Sequence, residues 1–427
     1  MLYTAYELTY AAVAPARIAA GIGARLWRSP FNPLADSWVA RTSAAALDVF
    51  ENMTRRYPKP EWDLAETQIN GVSVPVTIEP VLTKSFCTLL RFRRDGKALK
   101  AAGVSREQPK ALIVAPLSGH YATLLRGTVE AMLPGHDVYV TDWTDARQVP
   151  INAGRFDLND YVDYLIDFLR LIGPRAHAIA VCQPGPALLA AAAVLAEDGD
   201  EARPSTMTIM GSPIDARKSP TVPNLLSKER SFEWFERNMI YTVPPPYPGM
   251  LRRVYPGFVQ LYSFLSMNSD RHLNAHYDYF KNLVKGDGDS ADKHRTFYDE
   301  YLSVLDLTEE FYLQTIKEVF QEHTLPEGKF MHRGRRVKPE AIEDIALLTI
   351  EGENDDISGI GQTQAAHDIC TGLPDHLKAD YIQPGVGHYG VFNGSKWKSE
   401  IQPRIADFIR KFDAKGGARN LKLVKRA

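Results

Sequence analysis

The rhythm of apolar and polar positions changes several times along the chain. Residues 1–57 are Ala-rich, with apolar positions at helical spacing and a break at "RSPFNPLADS", and they predict helices. From Glu66 to Arg94 the pattern alternates around a turn-like Asn70-Gly71, predicting two or three antiparallel strands. Short, solidly apolar runs then alternate with helical segments. They are "ALIVAPL" (111–117), "DVYVTDW" (137–143), "AHAIAVC" ending at Cys182, and "STMTIMGSP" (205–213). The helix predicted over 156–173 carries Tyr161, Leu165, Phe168, Leu169 and Ile172 on one side. Strands without polar alternation imply a parallel sheet covered on both faces. Between Arg217 and Pro339 the alternation stops in an aromatic stretch of mixed charge with a Pro-rich connection at Val243–Pro248. The sheet resumes with "ALLTIEGEND" (346–355), a helix near 360–371, "ADYIQPGVGHYG" (379–390) and a final amphipathic helix near 397–412. The organisation expected is an N-terminal helical extension over 1–60, an α/β core from 61–216 and 340–413, an inserted helical cap over 217–339, and a basic, frayed tail over 414–427.

Composition narrows the function classes. At 427 residues the chain exceeds what one compact core usually needs, in keeping with one large domain carrying additions or with two domains. Lys+Arg number 50 against 52 Asp+Glu, a balance without the electrostatic footprint of nucleic-acid binding. Cys87, Cys182 and Cys370 are too few for a disulfide framework, so a reducing, cytoplasmic setting is expected. The first apolar stretch is broken by Pro15 and Arg17 and has no cationic start, which argues against an export signal. No run approaches the ~18 uninterrupted apolar residues of a membrane span. A helix packing on the core or on a partner is expected there, with adhesion to a hydrophobic surface as the alternative.

The candidate chemistry centres on "AIAVCQPGPALLAAAAVL" (178–195), where a thiol stands at the exit of a buried strand. A nucleophile between strand and helix in a parallel sheet is the elbow of α/β-hydrolases, normally G-x-S-x-G. Here the five positions are Ala180-Val181-Cys182-Gln183-Pro184. Pro184 and Pro186 fall in the first helical turn, where a missing N–H costs nothing. The helix N-terminus favours negative charge on the sulfur. The fold class expected is therefore an α/β-hydrolase fold, a mostly parallel sheet with helices on both faces, its helical cap inserted before the acid-bearing strand. Gly352-Glu353-Asn354-Asp355 matches a G-x-x-D acid loop, with Asp356 as rival, and His388 follows the last strand among glycines. Chain order Cys182, Asp355, His388 is nucleophile, acid, base. An oxyanion would be held by the Gln183 N–H and by one from Leu117 or Ser118. His120 and Trp143 are candidate pocket residues, each with a core reading beside it, and Asp142 reads as structural. There is no C-x-x-C pair, H-E-x-x-H, dinucleotide fingerprint or P-loop, so no metal or cofactor is expected.

"VCQPGPALLA", "EGENDDISGIGQT" and "GVGHYGVFNG", supported by "HYATLLRGTVEAMLPGHDVYVTDW", resemble intracellular polyhydroxyalkanoate (poly-3-hydroxybutyrate) depolymerases. The resemblance runs over most of the chain. It implies a short-chain polyester or its oligomers as substrate, a Cys182–His388–Asp355 triad, and association with the surface of cytoplasmic storage granules. Coenzyme A in place of water as acyl acceptor, and a homodimer, are left open. The runner-up is a polyester synthase, whose G-x-C-x-G elbow is unlike Ala180 and Pro184. A general cysteine esterase would be shorter and uncapped. A granule-coating structural protein would not need an intact triad.

Overall fold

The computed structural model describes residues 2–105, 107–267, 269–285, 287, 294–295 and 298–413, so the tail expected over 414–427 lies outside the described residues. The chain opens with two helices, α1 (Leu2–Trp27) and α2 (Trp38–Thr54), packed as a hairpin. Ser37 caps α2 by accepting the Ala40 N–H at 3.2 Å. Three antiparallel strands follow, β1 (Glu66–Ile69), β2 (Val72–Thr83) and β3 (Cys87–Arg94). Asn70 and Gly71 join the first two with φ of +50° and +79°, the left-handed pair that a tight hairpin turn requires.

After α3 (Gly96–Ala101) the chain alternates through β4 (Lys110–Val114), α4 (Arg126–Met132), β5 (Asp137–Trp143), α5 (Leu158–Ile172), β6 (His177–Val181), α6 (Gly185–Glu197) and β7 (Thr206–Met210). Asp157 and Asp160 close a capping box at the start of α5, whose apolar stripe is buried. The inserted segment contains α7 (Val222–Glu229), α8 (Phe232–Met239), α9 (Gly257–Met267), α10 (Ser269–Lys285) and α11 (Glu309–Thr315). It also contains two small sheets, one of β8 (Tyr241–Thr242), β9 (Arg253–Tyr255) and β10 (Leu307–Thr308), the other of β11 (Met331–His332) and β12 (Arg335–Arg336). Helices outweigh these two- and three-residue strands in the segment's regular structure. The chain returns to the main sheet through β13 (Ala346–Gly352), α12 (Ala365–Ile369), β14 (Lys378–Gln383) and α13 (Gln402–Asp413).

The main sheet runs β1-β2-β3-β5-β4-β6-β7-β13-β14, antiparallel from β1 to β5 and parallel from β5 to β14. This order, with β6 central and helices between the parallel strands, is an α/β-hydrolase fold. Every residue of β6, β7 and β13 is buried, as their unbroken apolar runs require. The register pairs Val181 with Met210 and Met210 with Ile350. Three strand exits therefore end level, bringing together loops that are far apart in sequence.

Candidate active site

Cys182 follows directly on Val181 and has φ +67°. The left-handed region costs a non-glycine residue about 1–2 kcal/mol, so the neighbours must impose it. The Cys182 N–H donates to Met210 O at 2.8 Å, and its carbonyl accepts the Gly185 N–H at 3.3 Å and the Ser212 hydroxyl. Pro184 caps α6 and Pro186 lies in its first turn. The strand–helix contact is made by Gly185, one residue beyond the usual second glycine. A Cβ there would lie 2.5 Å from both Cβ and Oγ of Ser212 and 2.9 Å from Ile209 Cγ2. Sequence reading passed over Gly185 and Ser212, although "GSP" at a strand exit was visible.

The loops after β13 and β14 supply an imidazole and its orienting carboxylate. His388 Nδ1 and Asp355 Oδ2 are 2.8 Å apart, with both side chains buried. The other oxygen, Asp355 Oδ1, accepts N–H groups of Ile357 and Ser358 at 2.9 and 2.8 Å. Asp356, the rival, is exposed. Buried Glu351 organises the same loop by accepting the N–H groups of Gly361, Thr363 and Gln364. Gly211 admits the ring: a Cβ at this position, whose φ is +53°, would come within 3.2 Å of His388 Cε1. Burial alone would push His388 down. The facing Cys182 sulfur, then the Asp355 carboxylate and hydrogen bonds to both, carry it well above the ordinary histidine range.

The loop after β4 departs from expectation at two points. The Leu117 N–H is occupied, donating to Gln183 Oε1 at 3.2 Å, so of the two residues expected to supply a donor, only Ser118, which is partly exposed, remains. Trp143 is a core residue rather than a pocket residue: it is 1% exposed, stacks on Tyr161 at 4.3 Å and donates Nε1–H to Ala115 O at 2.8 Å. An indole with its one donor satisfied inside the core has no group left for a ligand. His120 is buried, and its Nε2 lies 3.0 Å from Tyr301 O, which ties the loop to the inserted segment. Burial lowers His120 to about 4, so the ring is neutral and donates to that carbonyl. Leu305 N–H donates to Gly119 O at 2.7 Å as a further tie. Tyr389, absent from the sequence candidates, stands between His388 and Tyr301, with ring centroids 6.1 and 5.9 Å away. Asp142 pairs with Lys59.

The profile of the family described as PHB de-polymerase C-terminus matches residues 211–413. The match begins beyond the elbow and takes in Asp355, His388 and the whole inserted segment. With the hydrolase fold, it makes the protein an ester hydrolase. No curated protein matches the chain. Solved structures similar to it include a meta-cleavage product hydrolase from Pseudomonas fluorescens IP01, at 14% identity and TM-score 0.41, covering 81% of this chain and 97% of that one. Another is 2-hydroxy-6-oxo-6-phenylhexa-2,4-dienoate hydrolase from Rhodococcus sp. strain RHA1, at 11% identity and TM-score 0.40, covering 79% and 99%. Among the described residues no helix is long and apolar enough to cross a membrane.

Proposed function

We propose that the protein hydrolyses poly(3-hydroxybutyrate) or another short-chain polyhydroxyalkanoate through Cys182, His388 and Asp355. The observation that carries this reading is a cysteine held left-handed at a strand–helix junction and facing an imidazole that a buried carboxylate orients. The family match supports a polyester as the substrate class.

The Cys182 thiolate attacks an ester carbonyl carbon, and the carbonyl electron pair moves onto oxygen. The N–H groups of Gln183 and Ser118 receive that oxyanion. As the tetrahedral intermediate collapses, the C–O bond breaks, and the leaving alkoxide takes a proton from the His388 imidazolium. An acyl-thioester remains on Cys182. The larger of the two charges that raised His388 is then gone, because the sulfur is neutral, and only Asp355 still favours the imidazolium. The imidazole falls back toward the usual range and can remove a proton from water, which attacks the thioester and releases a hydroxyacid and the thiolate. Asp355 holds the tautomer throughout. The inserted segment, tied to the loop after β4, acts as a lid that limits water. Association with polyester granules belongs to the same reading, supported by the exposed apolar face of the α1–α2 hairpin.

Amorphous polyester granules, and separately hydroxyacyl-CoA, are incubated with wild type and Cys182→Ala. Soluble hydroxyacid from wild type alone is expected. Polymer growth from the CoA ester, or granule hydrolysis retained by Cys182→Ala, would refute the proposal.

A further inference from the structure

We propose that Gln260 is a substrate-binding residue, its side-chain amide donating to a carbonyl oxygen of the ester chain lying along the loop after β4. The inference rests on the ester-hydrolase reading above and adds a contact from the inserted segment.

Gln260 lies on α9 and is 4% exposed. Its Nε2 is buried and has no hydrogen-bond partner among the described residues. An unpaired donor buried in a protein is destabilising, and such groups are rare enough that each calls for a reason. The position supplies one. The amide is pressed against Gly119, where a Cβ would lie 2.6 Å from Gln260 Oε1, 3.1 Å from Cδ and 3.5 Å from Nε2. Gly119 also has φ +114°. Glycine is required there on both counts, and the first is to let this amide through. The neighbouring residue is Ser118, the remaining candidate donor to the oxyanion. The amide is held in place, since α9 is fixed at its start by Gly257 N–H donating to Asp306 at 2.9 Å, and the loop is bound to the inserted segment through Leu305 and Tyr301.

The chemistry matches on the other side. A polyester presents one carbonyl acceptor per repeat and no donor along its length. A buried amide with unspent N–H groups is what such a chain lacks. A donor beside the reacting carbonyl would receive either that carbonyl or the next one, so its contribution grows once a second repeat is bound.

The test uses Gln260→Met, which keeps length and approximate volume but removes both donors, with Gln260→Leu as a second variant should the first not fold. KM and kcat are measured on a soluble monoester and on 3-hydroxybutyrate dimer, trimer and tetramer, together with the thermal unfolding midpoint. The expected result is a selectivity for trimer over monoester lowered about 2–10-fold, the worth of one hydrogen bond, through KM more than kcat. The unfolding midpoint is expected to hold or rise, because an unpaired buried donor has been removed. Unchanged selectivity at unchanged stability would overturn the proposal and leave the amide holding only water. Equal losses on all substrates with a lowered midpoint would overturn it in favour of a packing role. Failure of the underlying reading looks different: wild type would then cleave none of these esters, or Cys182→Ala would cleave them all.

Discussion

Asp355 and Asp356 are chemically identical neighbours whose surroundings decide what each can do. Asp355 has one oxygen on His388 Nδ1 and the other on two backbone N–H groups, while Asp356 is exposed. Asp355→Asn is expected to lower kcat by about 10²–10⁴-fold by spoiling the tautomer and orientation of the imidazole. Asp356→Asn should change it less than about twofold, in keeping with a surface substitution. Steady-state kinetics on one soluble ester separates the two, and comparable losses would remove Asp355 from its assigned place. Gly185 permits an independent check of the elbow. An alanine methyl would overlap Ser212 and Ile209, at 2.5 and 2.9 Å, and overpacking of this kind costs about 1–3 kcal/mol. Gly185→Ala should therefore unfold at lower denaturant and turn over more slowly, since the cysteine moves with the helix start. A fully active, equally stable Gly185→Ala would mean that the strand–helix contact is looser than the structure has it.

At the scale of elements, the loop after β4 is where expectation and structure differ most, for physical reasons. Strands β4 to β7 and β13 were legible because a strand buried on both faces must be apolar throughout, and their observed bounds agree with the expected ones within three residues, whereas β14 ends seven residues early, at Gln383. Cys182, Asp355 and His388 could be picked out as candidates because each stands at a strand exit in the order this fold imposes. By contrast, the Leu117 N–H is occupied by a side chain distant in sequence, Gln183, and no local pattern announces that. Trp143 ends its strand at the edge of the sheet where the site lies, as a pocket residue would, and only the contact with Tyr161 reveals it as core. The two- and three-residue strands of the inserted segment are too short to carry a period. Gln260 gave no signal in the sequence, because what marks it is the absence of a partner. His120 makes the loop's attachment measurable. Its folded pKa is about 4 because burial disfavours the charged ring, against roughly 6.5 in the unfolded chain. Between those values the unfolded state binds the proton and the folded state does not, so stability due to His120 is full above pH ~6.5 and lost as pH falls toward 4. Relative to His120→Gln, wild type should lose about 1.4 kcal/mol per pH unit across that window. Urea unfolding of both proteins at pH 7, 6 and 5 measures the gap. A gap independent of pH would mean that His120 is not buried in solution.

At the scale of the whole molecule, one face remains unaccounted for by the fold itself. Tyr3, Ala20 and Ala24 bury one side of α1. At 100° per residue, Leu8, Ile18, Ile22 and Leu26 fall together on the opposite side, and all four are exposed. The stripe continues into the connection and α2 through Phe31, Leu34, Trp38 and Val39, with Phe31 94% and Trp38 72% exposed. Charged groups nearby are largely paired with one another, Arg28 with Asp48 and Glu7 with Arg56, which leaves an apolar strip of low net charge along a helix about 39 Å long. A helix apolar on all sides is ordinarily covered, and a solid of neutral ester repeats is a surface that an uncharged strip suits. Full burial of a large apolar side chain contributes about 1.5–3 kcal/mol, so replacing two of them by aspartate should weaken attachment about tenfold or more, even where each is only half-buried. Phe31→Asp/Trp38→Asp is accordingly expected to co-sediment poorly with amorphous polyester granules, and its granule hydrolysis should fall relative to its hydrolysis of soluble trimer. Light scattering supplies the opposing outcome. A wild type of twice the chain mass that becomes monomeric in the double variant, with granule binding undiminished, would assign this face to a second copy of the chain and separate granule attachment from the N-terminal helices.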